Sequence, residues 1–319
     1  MKKETILSGV QATGRMHIGN YLGALKHFID IQDSGKYDCY FFVADLHALT
    51  VPRDPKQLRA DTLEVVAEYI AAGLDPEKST IFIQNHVLEH ASLAWIFNCI
   101  TPIGELERMT QFKDKGKAQK DSVNAGLLTY PVLQAADILL YKPTYVPVGE
   151  DQVQHIELSR VVARKFNNQF GKTFPEPKPF IREPLRIMSL KNSEKKMSKT
   201  GDEPIYIDDV PEIIEVKLKK AVSDKIGAEN LLDLLERFGD KNIHSQFQSS
   251  YKTGDIKYSE LKKVLAETIS EYFKDFRVKK KELLSNKSEL ARILADGSEK
   301  ARTIAHKTLS EVKEKIGLL

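Results

Sequence analysis

A chain of 319 residues, 41% hydrophobic and 29% charged, is long enough for one large domain or two ordinary ones and reads as a soluble globular protein. No apolar run approaches the ~20 residues needed to cross a bilayer, and the apolar stretch behind Met1-Lys2-Lys3 is broken by Gly9 and Gln11, so no leader is expected and the expected compartment is the cytoplasm. The net charge of +3 is unevenly spread: residues 257–319 hold 15 Lys and Arg against 10 Asp and Glu, leaving 33 against 35 for residues 1–256, a basic tail that suits an acidic polymer or, more commonly, a set of solvated helix faces.

The short apolar run from Glu4 to Val10, bounded by Gly9, predicts a buried strand. A polar loop over residues 11–16 leads into a helix whose apolar stripe is Ile18, Leu22, Leu25, Phe28 and Ile29. Residues 38–44 and 79–84 read as further strands, with helical patterns at 55–73 and 89–99, and this alternation predicts a parallel sheet covered on both faces. Cys39 and Cys99 lie too far apart for a disulfide framework or a zinc site and are expected to be buried thiols. Residues 113–122 are polar and lysine-rich, a predicted loop, and residues 132–141 form an apolar helix. Pro175, Pro177, Pro179 and Pro184 mark an irregular stretch. Beyond residue 208 the pattern is helical at 210–222, 229–238, 258–284 and 286–318. The expected organisation is an α/β domain over residues 1–200 and an all-helical domain over residues 201–319.

Four clusters carry chemistry. Thr13-Gly14-Arg15-Met16-His17-Ile18-Gly19-Asn20 follows a strand and opens a helix, where unpaired backbone N–H groups and the helix dipole favour an anion; His17 and Asn20 add side-chain donors suited to phosphate oxygens. Lys196-Met197-Ser198-Lys199-Thr200 places two lysines around a small hydroxyl residue in a segment without periodicity, a loop able to neutralise charge on a transferring phosphoryl group. Asp137 stands within a helix apolar on nearly all sides. A buried carboxylate needs a partner, either a neighbouring arginine or a ligand group that only donates, such as an indole N–H. Gln134 shares its helix face, and its amide is expected to donate to Asp137. Finally, Gly149, Glu150 and Asp151 open a helix, where carboxylates serve as ordinary first-turn charges or hold ribose hydroxyls.

The first two clusters resemble the His-Ile-Gly-His and Lys-Met-Ser-Lys-Ser signatures of class I aminoacyl-tRNA synthetases, with Asn20 and Thr200 in the final places. The segments 104–109, 126–131, 149–160 and 186–190 resemble the bacterial tryptophanyl-tRNA synthetase family, densely over about residues 5–200. The resemblance implies a Rossmann-like nucleotide-binding domain, a helical anticodon-binding domain, a homodimer, ATP with Mg²⁺, L-tryptophan and tRNA(Trp). It implies that Gln11, Ala12, Thr13, Gly19 and Asn20 contact ATP phosphates and adenosine, Gly149, Glu150 and Asp151 the ribose, and Ile187 the adenine through its backbone. Lys196, Met197, Ser198, Lys199 and Thr200 would hold the departing pyrophosphate, with His17, Asn20, Lys196, Ser198 and Lys199 the catalytic set. Asp137 would accept from the indole N–H; Gly9, His47, Gln134, Val146 and Val148 would line the amino-acid site, and Tyr130 and Gln152 would bind the ammonium.

Three features depart from the family pattern: Gln134 stands where Met is common, Leu7 where Phe is familiar, and much of the usual segment after Thr200 is missing. The implied chemistry needs no Ser-His or Cys-His pair, because the substrate carboxylate is itself the nucleophile, and the enzyme contributes positioning and charge stabilisation. Rival assignments are a tyrosyl-tRNA synthetase, a small nucleotidylyltransferase, and a paralogue that binds RNA or tryptophan without charging tRNA.

Overall fold

Strand β1 (Glu4–Gln11) lies at the centre of a five-stranded sheet in the computed structural model of the chain, which describes residues 3–111, 124–181, 187–198 and 203–319. It pairs with β2 (Tyr37–Ala44) from Glu4↔Tyr37 through Gln11↔Ala44; β3 (Ser79–Ile83) continues the sheet beyond β2. On its other side β1 meets β4 (Tyr145–Pro147) at Ile6↔Tyr145, followed by β5 (Lys178–Phe180). The order is β3-β2-β1-β4-β5 and every pair is parallel, the expected arrangement. The strands β4 and β5 escaped the sequence because each spans three residues and contains a proline, too short for a period and lacking one backbone donor.

The longer helices are α1 (Lys26–Asp33), α2 (Pro55–Ala72), α3 (Glu89–Asn98), α4 (Ala125–Leu140), α5 (Val153–Phe170), α6 (Pro211–Lys219), α7 (Lys225–Phe238), α8 (Lys241–Thr253), α9 (Tyr258–Tyr272), α10 (Lys274–Ser285) and α11 (Lys287–Ile316). The single helix expected across residues 18–29 is instead a short turn at Ile18–Asn20, a wide π-helical turn at Tyr21–Leu25, and then α1. The wider turn lets Tyr21, Leu22 and Leu25 all be buried together. The helix α8 was missed because its apolar stripe is sparse, only Ile243, Phe247 and Tyr251, and none of its residues is buried. The run 258–284 breaks in two at the buried Phe273. Cys39 is buried as expected; Cys99 is exposed, one residue past α3, which corrects the second thiol assignment. The lysine-rich segment 113–122 lies outside the described residues. Among the described residues no helix is long and apolar enough to cross a membrane.

Two compact units divide the chain, and neither is continuous. The first comprises Met1–Gly14, His27–Pro184 and Asn286–Leu319; the second comprises Arg15–Lys26 and Leu185–Ser285. A linear cut at residue 200 therefore differs from the packing at the first signature turn, at residues 185–200 and at α11.

In the first unit, α11 lies against β3, α3 and α4. Gly297 permits this approach: a Cβ there would stand 1.9 Å from the Ile81 carbonyl oxygen. Ala301, Ala305, Leu309 and Val312 of α11 join one apolar core with Leu7, Phe42, Phe82, Leu93, Leu139 and Phe166. Arg302 donates to the His86 carbonyl at 2.9 Å, and Lys142 pairs with Glu311 at 2.7 Å. In the second unit, Ile18 N–H donates to the Ile205 carbonyl at 2.9 Å and Ile207 N–H to the Met16 carbonyl at 3.0 Å. Tyr21 stacks edge-on against Phe273 at 5.0 Å and shares a hydroxyl–hydroxyl bond of 2.9 Å with Tyr272.

Candidate active site

In an open parallel sheet, ligand groups gather at the carboxyl ends of the strands, beside the place where strand order reverses. Here that place lies between β1 and β4. Gly9 and Gln11 close β1, His47 follows β2, Gln84 follows β3, and Val146 and Val148 stand at β4. Gly9 is required by close approach: a Cβ would meet the Phe42 ring at 2.7 Å. The Gln11 amide donates to the His47 carbonyl at 3.1 Å, as does the Thr50 hydroxyl at 2.9 Å, fixing the turn that carries His47.

Asp137, on α4 and 1% exposed, is the centre of this cluster. His90 Nδ1 lies 2.6 Å from its Oδ1 and His47 Nε2 lies 2.7 Å from its Oδ2. The Gln84 amide donates to both oxygens, at 2.7 and 2.9 Å. Burial alone pushes the carboxyl upward, but the hydrogen bonds and proximity of the two imidazoles outweigh it and hold the group at about 2. An ionised carboxylate only accepts, so both ring nitrogens facing it carry protons. Beyond Asp137, His90 Nε2 meets the Tyr141 hydroxyl at 2.9 Å.

The expected Gln134–Asp137 bond is absent. The Gln134 amide instead donates to Gln152 Oε1 at 3.4 Å, and Gln152 donates to Asp151 Oδ2 at 2.7 Å. Asp137 has no need of Gln134, because Gln84, His47 and His90 already serve its oxygens. The alternative of an arginine partner also fails; two histidines and an amide take that part. The Tyr130 hydroxyl lies 3.0 Å from His155 Nε2 and donates to Gln111 at 3.3 Å, and burial pushes its pKa up to about 12. Gly149, Glu150 and Asp151 form an exposed turn before α5, and a Cβ on Gly149 would crowd Asp151 Oδ1 at 2.7 Å. Ala12 is buried and Thr13 exposed at the end of the first unit's β1 segment.

The second unit holds the remaining candidates. His17 is buried and caps the turn Ile18–Asn20, its Nδ1 accepting from Gly19 N–H at 3.1 Å and Asn20 N–H at 3.3 Å. This corrects the expected open helix terminus: those two N–H groups serve His17, whose own proton therefore sits on Nε2. Ile187 is buried beside Gly19, and its carbonyl accepts from Met197 N–H at 2.9 Å. Lys196 bridges Met188 in antiparallel fashion; Met197 is buried, while Lys196 and Ser198 are exposed. The signature is thus anchored by Met197, with Lys196 and Ser198 turned outward. Lys199 and Thr200 lie outside the described residues.

Sequence reasoning missed a partly buried ion cluster in this unit. Arg15 pairs with Asp208 at 2.6 Å and with Asp209 at 2.7 Å, and Lys280, 5% exposed, pairs with Asp208 at 2.8 Å. Lys217 donates to the Pro204 carbonyl at 2.7 Å and also pairs with Asp209. Burial works against the Arg15 charge, but the hydrogen bonds it donates to Asp208 and Asp209 raise its pKa overall. Gln84 and His90 were missed as well; the available signal for Gln84 was its place at the carboxyl end of a predicted parallel strand.

The family model of tRNA synthetases class I (W and Y) matches residues 1–289. A Tryptophan--tRNA ligase of Caldanaerobacter subterraneus subsp. tengcongensis is 48% identical, with 98% of each chain covered. One from Clostridium tetani is 46% identical over 99% of this chain and 96% of its own. Among solved structures, the tryptophanyl-tRNA synthetase of Campylobacter jejuni complexed with ADP and tryptophan superposes with a TM-score of 0.89 at 36% identity, over 98% of this chain and 100% of its own.

Proposed function

The chain belongs to the class I tRNA synthetases of the tryptophan and tyrosine family, and from that membership we propose how its residues divide the work. The reaction is that of a tryptophan--tRNA ligase. L-Tryptophan attacks the α-phosphorus of ATP through its carboxylate, giving tryptophanyl-adenylate and pyrophosphate. A terminal ribose hydroxyl of tRNA(Trp) then attacks the adenylate carbonyl and releases AMP. The tyrosine-specific alternative is set aside by the full-length tryptophan-specific relatives.

The observation that carries the amino-acid assignment is Asp137, buried, ionised and acceptor-only at the carboxyl edge of the sheet. A donor-only indole N–H matches it; a phenol, which both donates and accepts, does not use it fully. Gly9, His47, Gln134, Val146 and Val148 line the same site, with Tyr130 and Gln152 toward the ammonium. Gln11, Ala12, Thr13, Gly19 and Asn20 serve the phosphates and adenosine of ATP, which enters as its Mg²⁺ complex. Gly149, Glu150 and Asp151 hold the ribose and Ile187 the adenine. His17, Asn20, Lys196, Ser198 and Lys199 stabilise charge as pyrophosphate leaves, with Met197 and Thr200 completing the loop.

The helical residues beyond 200 take the tRNA, with the exposed Lys274, Lys279 and Lys281 of α10 supplying phosphate contacts. A second copy of the chain covers the exposed face of α3, where Leu88 and Trp95 are 73% and 71% exposed seven positions apart. The compartment is the cytoplasm, where charged tRNA is consumed. ATP–pyrophosphate exchange measured with each of the twenty amino acids tests the assignment: exchange is expected with tryptophan, and exchange driven by tyrosine, or by none, overturns it.

A further inference from the structure

The carboxylate of Asp137 offers about four lone-pair positions, and all four are occupied. Gln84 and His90 take both positions on Oδ1, while Gln84 and His47 take those on Oδ2. The partners are not equivalent. Gln84 and His90 are fully enclosed, whereas the His47 side chain is 13% exposed. An incoming N–H therefore reaches Oδ2 by displacing the His47 N–H, while the other side is closed by groups with nowhere to go.

Behind Asp137 the chain of bonds continues. His90 must present Nδ1–H to the carboxylate, and its Nε2 then accepts from the Tyr141 hydroxyl at 2.9 Å. Tyr141 holds that proton firmly, since burial and the nearby Asp137 charge raise its pKa well above the usual phenol value. Aromatic rings surround the pair: Phe42 and Phe82 each lie 6.0 Å from His90, and Tyr40 lies 5.4 Å from Tyr141. In such a setting a fully satisfied polar network fixes one geometry, and a partly satisfied one does not.

Granting that Asp137 accepts the indole N–H, as proposed above, we infer that His90 and Tyr141 are specificity-determining positioning residues: Tyr141 fixes the tautomer of His90, and His90 fixes the carboxylate so that Oδ2 meets the indole. Neither residue touches the substrate. Their contribution falls only on ligands that possess an N–H at that point. An amino acid of the same shape without the donor gains nothing from the orientation of Asp137 and loses nothing when it is disturbed. The ratio of activation between two such substrates therefore separates positioning from packing.

The test is ATP–pyrophosphate exchange with the full-length protein, comparing tryptophan with 3-(benzothiophen-3-yl)alanine, in which sulfur replaces the indole N–H. The wild type is expected to prefer tryptophan in kcat/KM by at least ~10², because a site built to bond a donor rejects the isostere lacking it. Tyr141→Phe removes only the hydroxyl, and His90→Leu removes the donor at similar volume. Both are expected to lower the preference by about tenfold or more through tryptophan alone, with KM for ATP unchanged. His90→Gln, which keeps an N–H, should fall between wild type and His90→Leu. Should His90→Leu fail to fold, Tyr141→Phe decides the matter. An unchanged preference in Tyr141→Phe, or an equal loss for both substrates, overturns the role of the pair while leaving Asp137 in place. A wild type that treats the two substrates alike removes Asp137 as the indole acceptor, and the role of the pair with it.

Discussion

The Gln84 amide and the Asp137 carboxylate, 53 positions apart in the chain, meet through one forked hydrogen bond of 2.7 and 2.9 Å. Burial pushes this carboxyl up, but the His47 and His90 imidazoles hold it at about 2, below the ordinary value of 3.8. A carboxyl depressed in the folded state stabilises the fold above its unfolded pKa, and that contribution is lost as pH falls through the folded one. The contribution is about 2 kcal/mol at neutral pH. Asp137→Asn should therefore lie furthest below the wild type in urea stability at pH 6–7, and the gap should narrow between about pH 4 and about pH 2. Tryptophan activation by the same variant should fall by roughly 10²–10⁴. A gap that is constant across this pH range contradicts the depressed carboxyl.

Gln134→Met is expected to change the tryptophan KM by less than about threefold, because the amide it removes bonds Gln152 at the long distance of 3.4 Å and does not reach Asp137. Exchange kinetics with tryptophan varied would show it; a tenfold rise in KM would place the Gln134 amide on the substrate itself.

Lys280→Ala should destabilise the protein by roughly 3 kcal/mol, since it strips one partner from the Asp208 carboxylate in a largely buried cluster. Arg15, the other partner of Asp208, belongs to the first signature segment, so the same variant should also slow adenylate formation at saturating tryptophan. Guanidinium unfolding and single-turnover kinetics read the two effects. Loss of stability with an unaltered adenylation rate would make the cluster a purely structural clasp.

Gly297→Ala adds one methyl group facing the backbone of β3, 1.9 Å from a carbonyl oxygen that cannot rotate away. Overpacking of this kind should cost roughly 3 kcal/mol and lower the melting temperature. An unaffected melting temperature would mean that α11 moves off the strand without penalty.

The wild type is expected to sediment as a dimer in analytical ultracentrifugation and Trp95→Glu as a monomer, because a charge would sit on the exposed α3 face. A dimer that survives this change uses another surface.

What was legible in the sequence was local. The strands β1, β2 and β3 and the helices α2 and α3 stood out through period and turn residues, and Asp137 through its polarity in an apolar helix. What was not legible was which residue meets which across the fold. Gln84 and His90 approach Asp137 from 53 and 47 positions away, and nothing in a local pattern encodes that pairing; the nearest polar neighbour on the helix, Gln134, was the natural candidate and the wrong one. The membership of α11 in the sheet unit was equally hidden, although a glycine inside a 30-residue helix is itself a sign of close approach.

The return of α11 to β3 also bears on how the protein is made. His86 and Ser298 touch across 212 positions, so the edge of the sheet leaves the ribosome long before the helix that covers it is translated. At about 5–20 residues per second, the nascent chain carries Ile81, Phe82 and Ile83 without their partner for roughly ten seconds or more. Throughout that interval β3 is an uncovered edge of the kind that recruits foreign strands. Synthesis of this fold is thus most exposed to aggregation just before the final helix emerges, and a nascent-chain chaperone would find its substrate there.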